Sequence, residues 1–244
     1  MALHRTDRGK IPWPKGILAG EKQLCRKIYS ALEPFRDDKQ VIIACSGGID
    51  STVLAHAFAC AHKLKGFSGR KHLLYVNHGL RPANEIKLDV DHVSKLAVDL
   101  NYDGFFCRSV CVEDGNTQAM ARKARYDAIN KEAVFLDAKV LLAHHADDLV
   151  ETKLWQFLTG RRPTGVSQTM SWNGEQRYYR PFLPFSREDL TEYARIWQII
   201  WVEDSSNATD KYVRNVIRHE LIPFIKTNIN PGILKTLCTG SRHP

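Results

Sequence analysis

A run of apolar residues that breaks into a glycine-rich turn and resumes as a helix constrains the fold of this chain more than any other stretch. Residues 41–44 are all apolar, as in a strand buried on both faces of a parallel sheet, and the residues after Ser51 continue with helical spacing. Gly47 and Gly48 let backbone N–H groups at the helix start converge on one anion. We therefore predict a phosphate-binding turn. A plain tight turn with Ser46 as the helix N-cap is the alternative.

Strand and helix patterns alternate at least four times along the chain. Apolar runs near residues 41–44, 73–76, 105–112 and 140–143 read as strands, and a helical pattern follows each of them. This order predicts an α/β fold with a doubly wound, Rossmann-like parallel sheet and right-handed crossovers. Ligands of such sheets bind at the carboxyl ends of the strands. The predicted site is therefore formed by the loops that follow Cys45, Val76, Val112 and Ala143.

Paired arginines follow the third predicted strand. Arg122 and Arg125 are three residues apart near the start of a helix, so they are neighbours on one face. Positive charge is unfavourable at a helix N-terminus, and a bound anion would account for the pair. The alternative is two surface arginines that pair with carboxylates such as Asp127 or Glu132.

Two carboxylates open the helix that follows the fourth predicted strand. Asp148 and Glu151 are three residues apart, so both can project to one side of the helix. Two ionised carboxylates repel each other unless a cation lies between them, which suits a metal ion or the ammonium group of an amino acid. Helix capping would explain Asp147 but does not explain the whole string of residues 144–152.

Basic residues are concentrated outside the predicted core. Residues 41–160 carry 14 basic and 14 acidic residues, so the net charge of +8 resides on the two flanks. Arg214 and Arg218 are four residues apart on a basic amphipathic helix, as pairs that contact phosphates often are. A neutral site bordered by basic surface favours an RNA substrate, and a solvated basic surface is the alternative.

Composition predicts a soluble, cytoplasmic protein. No apolar run approaches the length of a membrane span, and the first 20 residues lack the apolar centre of a signal peptide. The six cysteines form neither a C-x-x-C pattern nor a zinc-type cluster. Cys107 and Cys111 lie too far apart on one predicted strand for a disulfide. We expect reduced cysteines that serve packing, and a role in sulfur transfer is the alternative.

Several strings of residues resemble one known family. Residues 46–51 (SGGIDS) are similar to the pyrophosphate-specific loop of the adenylating PP-loop ATPases. Six further strings, over roughly residues 38–237, resemble the N-terminal domain of the tRNA(Ile)-lysidine synthetase family within the adenine nucleotide alpha hydrolase-like superfamily. They are residues 76–81 (VNHGLR), 115–126 (GN followed by ARKARY), 144–152 (HHADDLVET), 180–183 (RPFL), 203–207 (EDSSN) and 214–221 (RNVIRHEL).

This resemblance implies a two-step reaction on the wobble cytidine, position 34 of an isoleucine tRNA. Oxygen O2 of the cytosine attacks the α-phosphate of ATP and releases pyrophosphate, and L-lysine then displaces AMP at C2. The absence of a lysine from the loop agrees with this, because backbone amides and hydroxyls can hold a departing pyrophosphate while Mg2+ offsets its charge. Such an enzyme is a ligase that forms a carbon–nitrogen bond.

The resemblance also assigns roles to individual residues. Those implied to bind ATP are Ala44, Ser46, Gly47, Gly48, Ile49, Asp50, Ser51, Val76, Asn77 and His78. Those implied to be catalytic are Asp50, Arg122, Asp148 and Glu151, of which Asp50 would bind Mg2+ and the pair Asp148 and Glu151 would bind lysine. Those implied to contact the anticodon region of the tRNA are Arg81, Arg125, Arg214 and Arg218.

Three units are expected along the chain. Residues 1–37 form an N-terminal extension and helix, residues 38–185 the PP-loop ATPase domain, and residues 186–244 a small helical appendage that contacts RNA. Many family members continue into a further C-terminal domain that grips the acceptor stem, and we expect none here. Recognition is then confined to the anticodon region, or another protein supplies the grip, or the substrate differs.

Two other functions stay open at this point. One is a PP-loop tRNA thiolase, although such enzymes typically recruit catalytic cysteines or an iron–sulfur cluster. The other is an RNA-binding relative without catalysis, which would need neither the loop of residues 46–51 nor the carboxylate pair. A homodimer is one open alternative for the assembly.

Overall fold

The computed structural model describes residues 13–77, 82–110, 117–172, 174–203 and 213–239. The strands are β1 Gln40–Ala44, β2 Arg70–Asn77, β3 Gly104–Ser109, β4 Lys139–Leu141, β5 Thr169–Trp172 and β6 Glu175–Tyr179. The α-helices are α1 Ala19–Leu32, α2 Ile49–Lys65, α3 Ala83–Asp99, α4 Thr117–Leu136, α5 Ala146–Leu158, α6 Arg187–Trp197, α7 Val213–Val216, α8 Ile222–Asn228 and α9 Ile233–Thr239. A 3-10 turn, Glu33–Phe35, follows α1, and a π-helical turn, Ile217–Leu221, joins α7 to α8.

The six strands form one sheet in the order β3-β2-β1-β4-β6-β5. All neighbours pair in parallel except β5 and β6, which form an antiparallel hairpin at one edge. The strand order reverses between β1 and β4, and β1 lies at the centre. In open α/β sheets this reversal leaves a crevice at the carboxyl ends of the strands. The predicted doubly wound sheet is therefore confirmed.

Side chains alternate between the two faces of the sheet along each central strand. In β1, Val41 and Ile43 belong to a core that packs against α1, α2, α3 and α6, whereas Ile42 belongs to a second core that packs against α4. This alternation follows from the two-residue period of a strand. The sheet is thus buried on both faces by helices that flank it, as the near-continuous apolar runs predict.

A smaller apolar cluster attaches the C-terminal helices to α5. Val150 of α5 packs against Ile217 and Ile222, which lie in the π-helical turn and at the start of α8. These contacts position the basic segment after residue 212 beside the carboxyl edge of the sheet.

Residues 199–202 lie outside any strand, and Val202 N–H donates to the carbonyl of Gly47 in the glycine-rich turn. The structure differs from the sequence prediction at one of the cysteines. Cys107 is exposed at the sheet edge and does not serve packing, although Cys25, Cys45 and Cys60 are buried and all described cysteines are free. Cys111 lies outside the described residues.

The domain boundaries predicted at residues 37 and 185 stay predictions. Helices α1 and α6, from the first and third predicted units, pack into the same core as the sheet. Among the described residues, no helix is both long and apolar enough to cross a membrane.

One histidine inside the first core is held in its neutral form. His56 Nδ1 lies 3.0 Å from the hydroxyl of Tyr193, which donates in turn to the hydroxyl of Tyr29 at 3.2 Å. Burial lowers the pKa of His56 to about 4. The unfolded chain binds a proton on this side chain near pH 6.5, so the contribution of His56 to stability is present above pH 6.5 and is lost as the pH falls toward 4.

We expect the wild-type chain to lose ~2–3 kcal/mol more stability than the His56→Gln variant between pH 7 and pH 4, because only the wild type must exclude a proton from this site. Urea unfolding of both proteins across this range measures the difference. A parallel pH dependence in the two proteins would show that His56 takes up its proton without disturbing the fold.

Candidate active site

The glycine-rich turn after β1 is held open by side chains from the start of α2. Ser51 Oγ accepts from the backbone N–H of Ser46 at 3.1 Å and donates to the carbonyl of Gly48 at 3.0 Å. Thr52 Oγ1 donates to the carbonyl of Gly47 at 3.1 Å. Gly47 has a φ of +89°, a conformation that strongly favours glycine. The turn is thus fixed at the N-terminus of α2, where backbone N–H groups can bind an anion.

The ends of β1 and β2 provide the next predicted residues. Ala44 pairs in register with Leu74, so Val76 lies two residues further along on the same face. Ala44 and Val76 both pack at the edge of the second core, which contains Tyr126 of α4. Asn77 ends β2, and its carbonyl accepts from Val110 N–H at 2.8 Å. His78 and Arg81 lie outside the described residues.

The two arginines of α4 lie against an aromatic ring. The guanidinium carbons of Arg122 and Arg125 are 4.9 and 5.7 Å from the centre of the Tyr126 ring. Neither pairs with a carboxylate within the described part of the chain, because Asp127 binds Lys123 and Glu132 binds Arg108. The alternative in which these arginines pair with Asp127 or Glu132 is therefore wrong.

A third arginine, Arg180, lies buried in the same region. Its Nε donates to Nδ1 of His144 at 3.3 Å, and its Nη1 donates to the carbonyl of Ser167 at 2.6 Å. Burial, together with the guanidiniums of Arg180, Arg125 and Arg122, lowers the pKa of His144 to about 4 in spite of nearby Asp148. At neutral pH His144 is uncharged, and the three arginines form a cationic zone that suits phosphate oxygens.

The predicted carboxylate pair of α5 holds an internal cation. Glu151 Oε2 accepts from Nη2 and Nε of Arg218 at 2.7 and 2.9 Å, and Asp148 Oδ1 lies 3.4 Å from Nη2. Burial raises the pKa of Glu151 although Arg218 opposes the shift. The cation at this pair is therefore Arg218, the arginine predicted to contact RNA, and the binding of a metal ion or of lysine by the pair stays a prediction.

Helix capping at α5 involves a different residue from the one expected. Asp148 Oδ2 accepts from the N–H of the N-cap residue His145 at 2.9 Å. Asp147 Oδ2 instead accepts from the N–H of Arg187, the first residue of α6, at 2.8 Å. The expectation that capping explains Asp147 is wrong, because Asp148 occupies the third position of the helix, from which a carboxylate reaches back to the N-cap.

Asp50 connects the glycine-rich turn to these carboxylates. Its Oδ2 accepts from Nη1 of Arg187 at 2.5 Å and lies 3.7 Å from Nε2 of His145. Its Oδ1 is buried and has no hydrogen-bond partner among the described residues. A buried carboxylate oxygen without a partner is the kind of oxygen ligand that Mg2+ prefers, so Asp50 fits the metal role that the sequence suggests.

His145 lies among three carboxylates. Its Nε2 is 3.5 Å from Asp148 Oδ2 and its Nδ1 is 3.6 Å from Asp147 Oδ2. Burial lowers the pKa of His145, but Asp147, Asp50 and Asp148 outweigh burial and raise it to about 9. The imidazole is therefore a cation at neutral pH and offsets part of the local negative charge.

Arg187 and His145 are residues of the site that sequence reasoning missed. Arg187 is 137 positions from Asp50, and no spacing in the sequence connects the two. His145 lies within the string of residues 144–152, three positions before Asp148. This spacing is the one sequence signal that could have identified it as a site residue. Arg214, predicted to contact RNA, lies with its guanidinium carbon 4.8 Å from the centre of the Trp155 ring.

A family model described as the PP-loop domain matches residues 21–225. The chain belongs to the PP-loop domain family. This match includes the whole sheet and all the site residues named above. The glycine-rich turn at the start of α2 lies within the matched residues.

Curated relatives share sequence with this PP-loop domain over most of its length. It is 34% identical over 208 residues to the tRNA(Ile)-lysidine synthase of Legionella pneumophila (strain Paris), an alignment that covers 84% of this chain and 46% of the relative. It is 33% identical over 204 residues to the tRNA(Ile)-lysidine synthase of Solibacter usitatus, with coverage of 83% and 44%. The chain spans about half the length of the curated relatives it matches.

A solved structure shares the fold of this PP-loop domain. The U34-tRNA thiolase NcsA from Methanococcus maripaludis superposes with a TM-score of 0.73 at 13% identity, over 90% of this chain and 77% of that one. At this level of identity the likeness shows the fold alone.

We expect the contact between Glu151 and Arg218 to stabilise the fold by about 1–3 kcal/mol, because Glu151 is buried and loses its main partner when Arg218 is replaced. A double-mutant cycle with Glu151→Gln and Arg218→Gln, read by urea unfolding, measures the coupling. The exposed pair Glu192 and Arg195 provides the matched control, with a coupling of ~0.5 kcal/mol or less. Equal couplings in the two cycles would contradict the assignment.

Proposed function

We propose that this protein is a tRNA(Ile)-lysidine synthetase: it uses ATP to join L-lysine to C2 of the wobble cytidine of an isoleucine tRNA. The observation that carries the proposal is its 34% identity to a curated tRNA(Ile)-lysidine synthase across 84% of the chain. Its site geometry supports the same function, because the glycine-rich turn after β1 and the carboxylate pair Asp148 and Glu151 lie at the same edge of the sheet.

In the first step, O2 of the cytosine forms a bond to the α-phosphorus of ATP, and the bond from that phosphorus to the bridging oxygen of the β-phosphate breaks. The backbone N–H groups at residues 47–51 bind the departing pyrophosphate. Arg122 lies beside the nucleotide and stabilises the charge that develops on its phosphates. Asp50 would hold Mg2+ through its buried Oδ1, and that ion supplies positive charge to the phosphates.

Adenosine of the ATP lies across the ends of β1 and β2 in this proposal. Ala44 and Val76 share one face there and offer an apolar border, and Asn77 supplies a polar group at the strand end. The support for this position is that both strands end at the same edge as the PP-loop.

In the second step, the amine of lysine forms a bond to C2, and the bond between C2 and O2 breaks so that AMP leaves with that oxygen. The amine must lose a proton. Glu151 is suited to accept it, because burial raises the pKa of this carboxyl group. Asp148 holds the lysine ammonium through Oδ1, because its contact with Arg218, at 3.4 Å, is longer than the two contacts of this guanidinium with Glu151, at 2.7 and 2.9 Å.

The partners of the protein follow from this reaction. The tRNA is engaged at its anticodon region. Arg125, Arg214 and Arg218 are the described residues proposed to face it, and Arg81, which lies outside the described residues, is proposed to face it as well. We place the protein in the cytoplasm, where tRNA and ATP are available. A homodimer is still one open alternative for the assembly, and analytical ultracentrifugation can test it.

We expect sustained release of AMP and pyrophosphate, and no ADP, only when ATP, lysine and an isoleucine tRNA are all present, because the first step releases one pyrophosphate without lysine but turnover needs the second step. Mass spectrometry of the nucleosides from the treated RNA detects lysidine. A tRNA thiolase would act without lysine and add sulfur, and a non-catalytic binder would release no pyrophosphate. Either result would refute the proposal.

Single substitutions separate the two steps. Asp50→Ala should lower pyrophosphate release by about 100-fold or more, because it removes a group that acts on the phosphates. Glu151→Ala should raise the KM for lysine by roughly 10- to 100-fold and also lower kcat, since the proton acceptor and its charged hydrogen bond to the reacting amine are both lost, with little change in the KM for ATP. Glu192→Ala, on exposed α6 surface, is the matched control and should leave both values unchanged. Wild-type kinetics in either site variant would show that its role is misassigned.

A further inference from the structure

A tryptophan of α5 binds two arginines that come from different parts of the chain. The guanidinium carbon of Arg161, in the loop after α5, is 4.6 Å from the centre of the Trp155 ring, and that of Arg214, on α7, is 4.8 Å from it. We call Trp155, Arg161 and Arg214 the tryptophan clamp. Like charges that converge on one ring repel each other, and each cation is stabilised only modestly by the ring at an exposed site.

Both guanidiniums lack a carboxylate partner within the described part of the chain, and both side chains are exposed. Other described arginines, such as Arg108, Arg177 and Arg195, form ion pairs with carboxylates. Burial raises the pKa of Glu151 and the charge of Arg214 opposes this shift, but neither guanidinium of the clamp forms an ion pair among the described residues. Two adjacent cations of this kind favour an anionic ligand from outside the protein. A guanidinium that is oriented by an aromatic ring and keeps its N–H groups exposed suits bidentate binding to a phosphodiester.

The loop that carries Arg161 has a defined conformation. Gln156 Oε1 accepts from Gly165 N–H at 2.8 Å, and the carbonyl of Gln156 accepts from Arg161 N–H at 2.8 Å. A side chain at Gly165 would clash with Leu149, since its Cβ would lie 2.5 Å from Leu149 Cδ1. The loop therefore packs closely on α5, and Arg161 is presented at a fixed place, so little conformational entropy is lost when a ligand binds.

The clamp lies one helical turn from the carboxylate pair. Trp155 follows Glu151 by four residues on α5, a rise of about 6 Å, and Arg214 precedes Arg218 by four residues in the segment that packs against α5. A strand held at the clamp thus runs directly past the site of chemistry.

From these observations we infer that the tryptophan clamp binds the phosphodiester backbone of a single-stranded segment of the RNA substrate, next to the base that reacts. The inference rests on the proposed function, because it takes RNA as the substrate. It adds Trp155 and Arg161 to the residues proposed to bind RNA. It also specifies that Arg214 contacts the phosphodiester backbone of that RNA.

Equilibrium binding of a fluorescently labelled anticodon stem–loop RNA, measured over a series of salt concentrations, tests this inference without catalysis. Arg161→Gln and Arg214→Gln should each weaken binding by about 5- to 10-fold at ~0.1 M salt, and each should reduce the slope of log affinity against log salt by about 0.7 to 1. Trp155→Leu should weaken binding by a similar factor, and Trp155→Phe should restore most of it. Arg26→Gln, an exposed arginine on α1, is the matched control and should change neither value.

The outcomes distinguish the inference from the proposed function. If the wild type binds the RNA and the variants keep its affinity and salt slope, the clamp is refuted and the proposed function stands. If the wild type binds no RNA at all, the proposed function fails and the clamp fails with it. If polyglutamate competes as well as RNA and loses affinity in the same variants, the clamp recognises an acidic protein and the inference is overturned. Unchanged thermal unfolding of each variant shows that a loss of binding reflects the clamp and not the fold.

Discussion

Four carboxylates converge at the carboxyl edge of the sheet, and the rest of the site depends on the cations that neutralise them. Without these cations the carboxylates would repel one another and would have to be protonated or moved apart. The carboxylates are those of Asp50, Asp147, Asp148 and Glu151, and the cations within 3.7 Å of them include His145, Arg187 and Arg218. The cations come from the start of α5, the start of α6 and the π-helical turn. Electrostatic attraction therefore ties the C-terminal helices to the centre of the sheet.

The site has two zones of opposite character. On the side of α4, Arg122, Arg125 and Arg180 surround Tyr126 and the neutral His144, and they have no carboxylate partners among the described residues. On the side of α5, carboxylates dominate. Phosphate oxygens are stabilised in the first zone and an amine in the second. An arrangement of this kind suits a reaction that activates a group with a nucleotide and then transfers it to an amine.

The sequence predicted the central elements well, because their apolar runs and glycine-rich turn are local signals. The strand at residues 41–44, the turn and the following helix all occur where the pattern places them. The packing role of Cys107 was misjudged, since an apolar strand pattern cannot show that its strand lies at the edge of the sheet. Periodicity also could not show that Arg218 turns inward to Glu151, nor that Arg187 reaches Asp50. Both contacts depend on how the helices pack on the sheet, which is information that only the three-dimensional fold contains.

The π-helical turn between α7 and α8 makes this region sensitive to chain length. Successive residues of an α-helix are rotated by about 100°, so the deletion or insertion of one residue between Arg214 and Arg218 would turn one of them away from α5. Exchanges of side chain within Ile217–Leu221 preserve that geometry, whereas a change in residue number does not. We therefore expect this segment to evolve by substitution of side chains. The number of residues between Arg214 and Arg218 should remain constant while the residues around them vary.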